Sequence, residues 1–210
     1  MSRTLLTIID YGMGNLHSVA KALEHVAPNT QVEVTSDKAR IAEADHILLP
    51  GVGAIRDCMA EIRRQGVDTV VADAVNSGKP FLGICVGMQL MATLGREYSD
   101  TPGLDWIGGE VTKITPADPS LKVPHMGWND LVIDHPHAVF DGVSTGDHAY
   151  FVHSYHMVVQ DEAQRLAHVD YAGDVTAIIG RGTMLGMQFH PEKSQATGLR
   201  LIANFLNWKP

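Results

Sequence analysis

One stretch constrains this chain more than any other: Phe81-Leu82-Gly83-Ile84-Cys85-Val86-Gly87-Met88-Gln89. An apolar strand runs into Gly-x-Cys-x-Gly. Met88, Met91, Ala92 and Gly95 then predict a helix entered at Gly87. This is a nucleophile-elbow pattern with cysteine in the place of serine. The glycines are needed because a tight strand-to-helix turn leaves no room for Cβ atoms beside the nucleophile. Such a turn lifts its central side chain to the carboxyl edge of a parallel sheet, where open α/β sheets bind ligands. The helix aims its N-terminus at Cys85, which favours the thiolate, and frees the Val86 amide N–H for an oxyanion. Taken alone, the stretch also fits a buried free cysteine at a strand end.

The rest of the first half agrees with a parallel sheet. Leu5–Ile9 reads as a buried strand. Asn15 then caps a helix whose apolar positions are Leu16, Val19, Ala20, Leu23 and Val26, and Pro28 stops it. Val32–Val34 and His46–Leu49 are further strands, and helical spacing returns over 55–64 and 67–76. This alternation predicts helices on both faces of the sheet. From Trp106 to Gln188 the runs are short, strand-like and separated by Gly, Pro, Asn and Asp, so hairpins are expected. A last helix follows Ser194, with Leu199, Ile202, Ala203 and Leu206 on one face. The expectation is one mixed, mostly parallel α/β domain over residues 1–210, flavodoxin-like in class, with β-hairpins in its second half.

A thiolate nucleophile needs a base, and the base needs an orienting group. His190-Pro191-Glu192 offers both at a strand end. The proline keeps His190 extended, and residues i and i+2 of an extended segment share a side, so Glu192 can hold the imidazole. By itself His-Pro-Glu reads more simply as a strand-end histidine followed by a helix-favouring glutamate; the earlier cysteine elbow is what gives it weight. Leu49-Pro50-Gly51-Val52-Gly53 follows another strand. Its glycines expose backbone N–H groups, so Val52 and Gly53 are candidates, with Val86, for the two donors that acyl transfer needs. A tight strand–helix turn is the plainer alternative.

Composition narrows the classes further. With 16 basic and 24 acidic side chains in 210 residues, the net charge of −8 argues against nucleic acid as the main partner. Two cysteines, Cys58 and Cys85, make no disulfide framework and suit a reducing, cytoplasmic setting. The apolar run at Leu5–Ile9 is too short for a signal segment. No stretch approaches the roughly 20 apolar residues of a membrane span. Gly12-x-Gly14 lacks the third glycine of a dinucleotide fingerprint, so no cofactor is expected. The pairs His135/His137 and His153/His156 lack the further ligands of a zinc site, so no metal is expected.

Cysteine elbow and His-Pro-Glu together resemble the class I (triad) glutamine amidotransferases. Asp10-Tyr11-Gly12-Met13-Gly14-Asn15, Pro50-Gly51-Val52-Gly53, Pro124-His125-Met126-Gly127-Trp128-Asn129, Tyr150-Phe151-Val152-His153-Ser154-Tyr155 and His190-Pro191-Glu192-Lys193-Ser194 sharpen the likeness. In that order they are similar to the glutaminase-subunit family of imidazole glycerol phosphate synthase. The anthranilate type usually has His where Met88 stands and lacks the Pro-His-Met-Gly-Trp-Asn segment. Departures are local: Ile107-Gly108-Gly109 lacks a proline before the glycine, and Gln195-Ala196-Thr197 replaces a Ser-Lys pair.

The resemblance implies a subunit that hydrolyses L-glutamine to glutamate and ammonia. The ammonia would pass to a (β/α)₈-barrel cyclase subunit that makes imidazole glycerol phosphate and aminoimidazole carboxamide ribotide in histidine biosynthesis. It implies Cys85 as nucleophile, His190 as acid and base, and Glu192 as its orienter. It implies Gly53, Gln89 and the Ser154–Tyr155 backbone on glutamine's α-amino and α-carboxyl groups, and Asn15, Met126 and Trp128 facing the cyclase. Without the family, Trp128 reads as an ordinary core tryptophan. Alternatives are an amidotransferase subunit of another pathway, a silent regulator on the same fold, or a cysteine peptidase or chaperone-like relative.

Overall fold

A computed structural model describes residues 3–210. In chain order the first half holds β1 (Leu5–Ile9), α1 (Leu16–Val26), β2 (Gln31–Thr35), α2 (Lys38–Glu43), β3 (His46–Gly51), α3 (Ile55–Gln65), α4 (Val67–Asn76), β4 (Phe81–Cys85) and α5 (Val86–Gln89). The second half holds β5 (Leu94–Gly95), β6 (Thr101–Pro102), β7 (Gly109–Lys113), β8 (His125–Asp130), β9 (Val132–Ile133), β10 (His148–His153), β11 (Tyr155–Val159), β12 (Arg165–Asp170), β13 (Asp174–Arg181), β14 (Met184–Met187) and α6 (Gln195–Asn207).

Eight strands form the main sheet in the order β2-β1-β3-β4-β14-β13-β12-β9. Pairing is parallel from β2 through β14 and antiparallel from β14 outward. The central strands β1, β3 and β4 are buried along their whole length, as expected of continuous apolar runs covered on both faces. The second half also builds two small sheets, β10-β8 and β11-β7-β5-β6, beyond the hairpins expected from its sequence. No helix among the described residues is long and apolar enough to cross a membrane.

Two helices differ from expectation. α6 buries Gly198, Leu201, Ile202 and Phe205; of the expected Leu199, Ile202, Ala203 and Leu206 only Ile202 is fully buried, while Leu199 and Leu206 pack partly buried at the edge of the core. Both sets obey helical spacing. Gly198 decides between them, because a Cβ there would stand 2.0 Å from the Pro191 carbonyl oxygen, so this face packs on the His-Pro-Glu segment. α5 is a single turn instead of a helix reaching Gly95. The next carbonyls are taken by a folded-back loop: Leu104, Asp105 and Trp106 N–H groups donate to the Leu90, Ala92 and Met91 oxygens. α2 had no sequence counterpart; it is only 6 residues long and is capped by the Asp37 carboxylate, which accepts from Ala39 N at 2.8 Å.

Candidate active site

Because β1, β3, β4 and β14 are mutually parallel, their carboxyl ends lie on one edge of the sheet. Four segments converge there: 10–15, 51–54, 85–89 and 188–193. Together with the β10–β11 junction they wall a pocket of about 750 Å³. Asn15, Val52, Gly53, Cys85, Val86 and Gln89 line it, as do Ser154, Tyr155 and His190. The sequence-expected nucleophile, oxyanion and substrate positions therefore share one cavity.

Cys85 sits at φ 56°, ψ −114°, a strained conformation for a side-chain-bearing residue and the mark of a forced turn. Its glycines are required by contact. A Cβ on Gly87 would lie 1.9 Å from the Leu49 carbonyl oxygen, and one on Gly83 would lie 2.6 Å from the Gly87 carbonyl oxygen. The elbow thus locks against both β3 and its own α5. Val86 opens α5, so its N–H is one of the unpaired first-turn donors. With one turn, however, α5 carries a smaller dipole than the longer helix expected there.

His190 Nδ1 lies 3.0 Å from Glu192 Oε1, and the Glu192 side chain is fully buried. A carboxylate only accepts, so Nδ1 carries the proton and Nε2 is left for the thiol side. Burial disfavours the charged imidazolium, but contact with Cys85 and Glu192 outweighs it and carries the His190 pKa up to about 9. The backbone is clamped as well. His190 N–H donates to Tyr150 O at 3.2 Å, and Ser194 Oγ donates to His190 O at 2.7 Å while accepting from Tyr150 N at 2.9 Å. Ser194 is the N-terminal flank of α6, but its hydroxyl serves this clamp and caps nothing. Asn15 likewise makes no side-chain cap on α1; its Nδ2 points at Glu192 Oε1 at 3.4 Å. That residue was expected at a helix start and a docking face, and it reaches the buried carboxylate from the pocket rim.

Behind the Val52–Gly53 loop lies Cys58 on α3. Its thiol donates to the Val52 carbonyl at 3.4 Å and sits beside the buried Tyr11 hydroxyl. Burial pushes the Cys58 pKa up to about 11, so this second cysteine stays a thiol. Gly53 takes φ +92°, a conformation that suits glycine.

On the opposite wall Gln89 Nε2 donates to Tyr155 O at 3.1 Å and to Gln188 Oε1 at 3.0 Å. Met126 and Trp128 alternate outward on β8 and are 62% and 48% exposed, so Trp128 is no core residue. They lie outside the cavity, next to Pro124, which lines its rim. Sequence reading gave no site role to Glu97, Tyr98, His153 and Lys193, which line the pocket, or to Gln188, buried beside Cys85. Gln188 was findable: two residues before His190 on the same extended segment, it shares that side, and its Nε2 lies 4.0 Å from Cys85 Sγ. Glu97 and Tyr98 belong to no motif. The tempting histidine pairs turn to separate partners: His137 Nδ1 accepts from Val139 N, His135 Nε2 meets Glu162 O, and His156 Nδ1 accepts from Thr176 N. Among the described residues, no group of three or more His, Cys, Asp or Glu could hold a metal ion.

The chain is similar to known proteins throughout its length. It is 59% identical to "Imidazole glycerol phosphate synthase subunit HisH" of Ruegeria pomeroyi, over 98% of this chain and 100% of that one. It is 57% identical to the protein of the same name in Cereibacter sphaeroides, with the same coverage. A solved structure described as a glutamine amidotransferase superposes with a TM-score of 0.73 at 20% identity, covering 96% of this chain and 97% of the other, which supports the fold. The family model "Glutamine amidotransferase class-I" matches residues 7–208, and the chain belongs to that family.

Proposed function

We propose that this chain is the glutaminase subunit of imidazole glycerol phosphate synthase. It cleaves glutamine and supplies ammonia to a (β/α)₈-barrel cyclase subunit in histidine biosynthesis. The observation that carries this reading is a strained cysteine and a buried histidine in one pocket, with a fully buried glutamate bonded to that histidine. High identity to proteins named as subunits of that synthase supports the pathway.

In the first half-reaction Cys85 Sγ attacks the side-chain amide carbon of glutamine. The carbonyl oxygen gains charge and is held by the Val86 N–H together with a backbone donor of the Val52–Gly53 loop. His190, carrying the proton drawn from the Cys85 thiol, gives it to the amide nitrogen, the C–N bond breaks, and ammonia leaves a thioester. In the second, His190 removes a proton from water, hydroxide attacks the thioester carbon, and glutamate departs as the thiol is re-formed. Glu192 holds the Nδ1–H tautomer of His190 and opposes its positive charge in both steps. Gly53, Gln89 and the Ser154–Tyr155 backbone hold the α-amino and α-carboxyl groups. Met126 and Trp128 form the exposed apolar part of the cyclase-docking face, and Asn15 joins that face to Glu192.

The test is glutamate formation from glutamine by the chain with a barrel cyclase and its nucleotide ligand. Cys85→Ser abolishes it, while added ammonium salts restore cyclase product. Full glutaminase activity in Cys85→Ser would overturn the assignment.

A further inference from the structure

Two buried histidines that the chemistry above does not use face each other across the β8–β10 ladder. His125 and His153 are directly paired, and both side chains point inward, whereas Met126 and Trp128 point out. His153 Nδ1 lies 2.8 Å from the Tyr155 carbonyl oxygen. That oxygen only accepts, so His153 carries its proton on Nδ1. His125 Nδ1 lies 3.2 Å from His153 Nε2, which in a neutral ring is the acceptor, so His125 also carries its proton on Nδ1. His125 Nε2 is then an acceptor, and Asn129 Nδ2, 3.3 Å away, supplies the hydrogen. The second amide hydrogen of Asn129 goes to Asp170 O at 3.0 Å, and its Oδ1 accepts from Asp130 N at 2.8 Å. Every proton is assigned, and the chain runs one way from Asn129 to Tyr155. Burial keeps both rings neutral, pushing His125 down to about 4 and His153 to about 3. A protonated ring has no acceptor and would cut the chain.

The receiving end matters because Tyr155 O also accepts from Gln89 Nε2, on the cavity wall. We propose that His125 and His153 are positioning residues: their one-way hydrogen-bond chain ties the strand bearing Trp128 to the Tyr155 carbonyl, and so sets the pocket backbone that receives the substrate's α-amino and α-carboxyl groups. This rests on the glutamine reading of the pocket. Loss of the chain then weakens substrate binding more than it slows the chemical step, because neither histidine reaches the reacting atoms.

Two experiments test it. In the first, nitrogen-15 NMR of the imidazole rings of the full chain at neutral pH shows both His125 and His153 as neutral Nδ1–H tautomers, the less common form of free histidine. An Nε2–H tautomer at His153 overturns the chain whatever the enzyme's activity. In the second, His125→Phe keeps the ring contacts with Phe151 and Tyr171 but cannot donate. In the complex with the cyclase, glutamine KM rises about tenfold, the equivalent of one lost buried hydrogen bond, while kcat stays within about twofold. His125→Gln, able to donate and accept at once, restores KM. Asn129→Leu, which cuts the chain at its start on a less buried residue, reproduces the direction with a smaller rise. Unchanged KM in His125→Phe, or a fall in kcat that follows lost thermal stability without rescue by His125→Gln, overturns the proposal. If the wild-type complex forms no glutamate, the reading of the pocket fails instead, and the tautomer result still stands or falls separately.

Discussion

The two walls of the pocket hold histidines of opposite character. His190 stands on the β14 side between a thiol and a carboxylate, and its affinity for a proton rises to about 9 despite burial. His125 and His153 stand on the β8–β10 side with only neutral or basic neighbours, and burial drives them to about 4 and 3. Burial acts in the same direction on all three. A buried histidine becomes a proton carrier where an acceptor anion faces it, and a fixed dipole where none does. One wall is suited to moving protons and the other to holding backbone still.

Substitutions can break that contrast, and the largest effect belongs to the proton-carrying wall. Cys85→Ala or His190→Ala lowers glutaminase turnover by as much as about 10⁶-fold, the scale seen when a triad nucleophile or base is removed. Assembly and ammonium-dependent synthesis stay intact, which steady-state assays with glutamine and with ammonium separate.

Glu192→Gln removes the carboxylate that, together with Cys85, raises the proton affinity of His190. Turnover falls about 10⁴-fold through the wrong tautomer. It also changes stability against pH. The folded-state pKa of His190 lies above the ordinary value of about 6.5, so its stabilisation is complete below about pH 6.5 and is lost as pH rises through about 9. Melting temperatures of the wild type therefore decline over that window, and Glu192→Gln flattens the decline. An equal slope in both would separate His190's charge from Glu192.

Val52→Pro deletes a backbone donor of the oxyanion loop. Glutaminase turnover of the complex falls about 10²–10³-fold in steady-state assays, the cost of one lost oxyanion donor. Unchanged turnover would remove the Val52 N–H from the oxyanion site. Trp128→Ala acts on the outer face of the quiet wall. As an exposed aromatic anchor it weakens assembly by about 30-fold, equivalent to about 2 kcal/mol, measured by titration of the cyclase.

The smallest contrast is between the cysteines. A glutamine-mimicking electrophile labels Cys85, which lines the cavity, and spares Cys58, which is buried with a pKa near 11. Cys58→Ala changes turnover only a few-fold, through the lost contact to Val52 O, within the range of one weak hydrogen bond. Labelling of Cys58 in place of Cys85 would reverse their roles.

Local rules determined a good deal of this molecule. Continuous apolar runs announced β1, β3 and β4, because a strand covered on both faces needs no polar side. Glycine spacing announced the elbow, because the Leu49 and Gly87 carbonyl oxygens leave no space for a Cβ. The i, i+2 relation announced the His190–Glu192 pair, because a proline holds the histidine extended. Tertiary structure decided the rest, wherever several local solutions were equally good. α6 had two overlapping apolar stripes that share Ile202, and contact with the Pro191 carbonyl centred the buried one on Gly198. α5 could have run on, but residues 104–107 took its carbonyls. Asn15 and Ser194 had the chemistry of helix caps, yet partners nearly 180 and 44 residues away in sequence, Glu192 and Tyr150, claimed their side chains. The histidine chain depended on pairing β8 with β10, which puts His125 opposite His153. A sequence states what each side chain can donate or accept; the fold decides which partner is near enough to receive it.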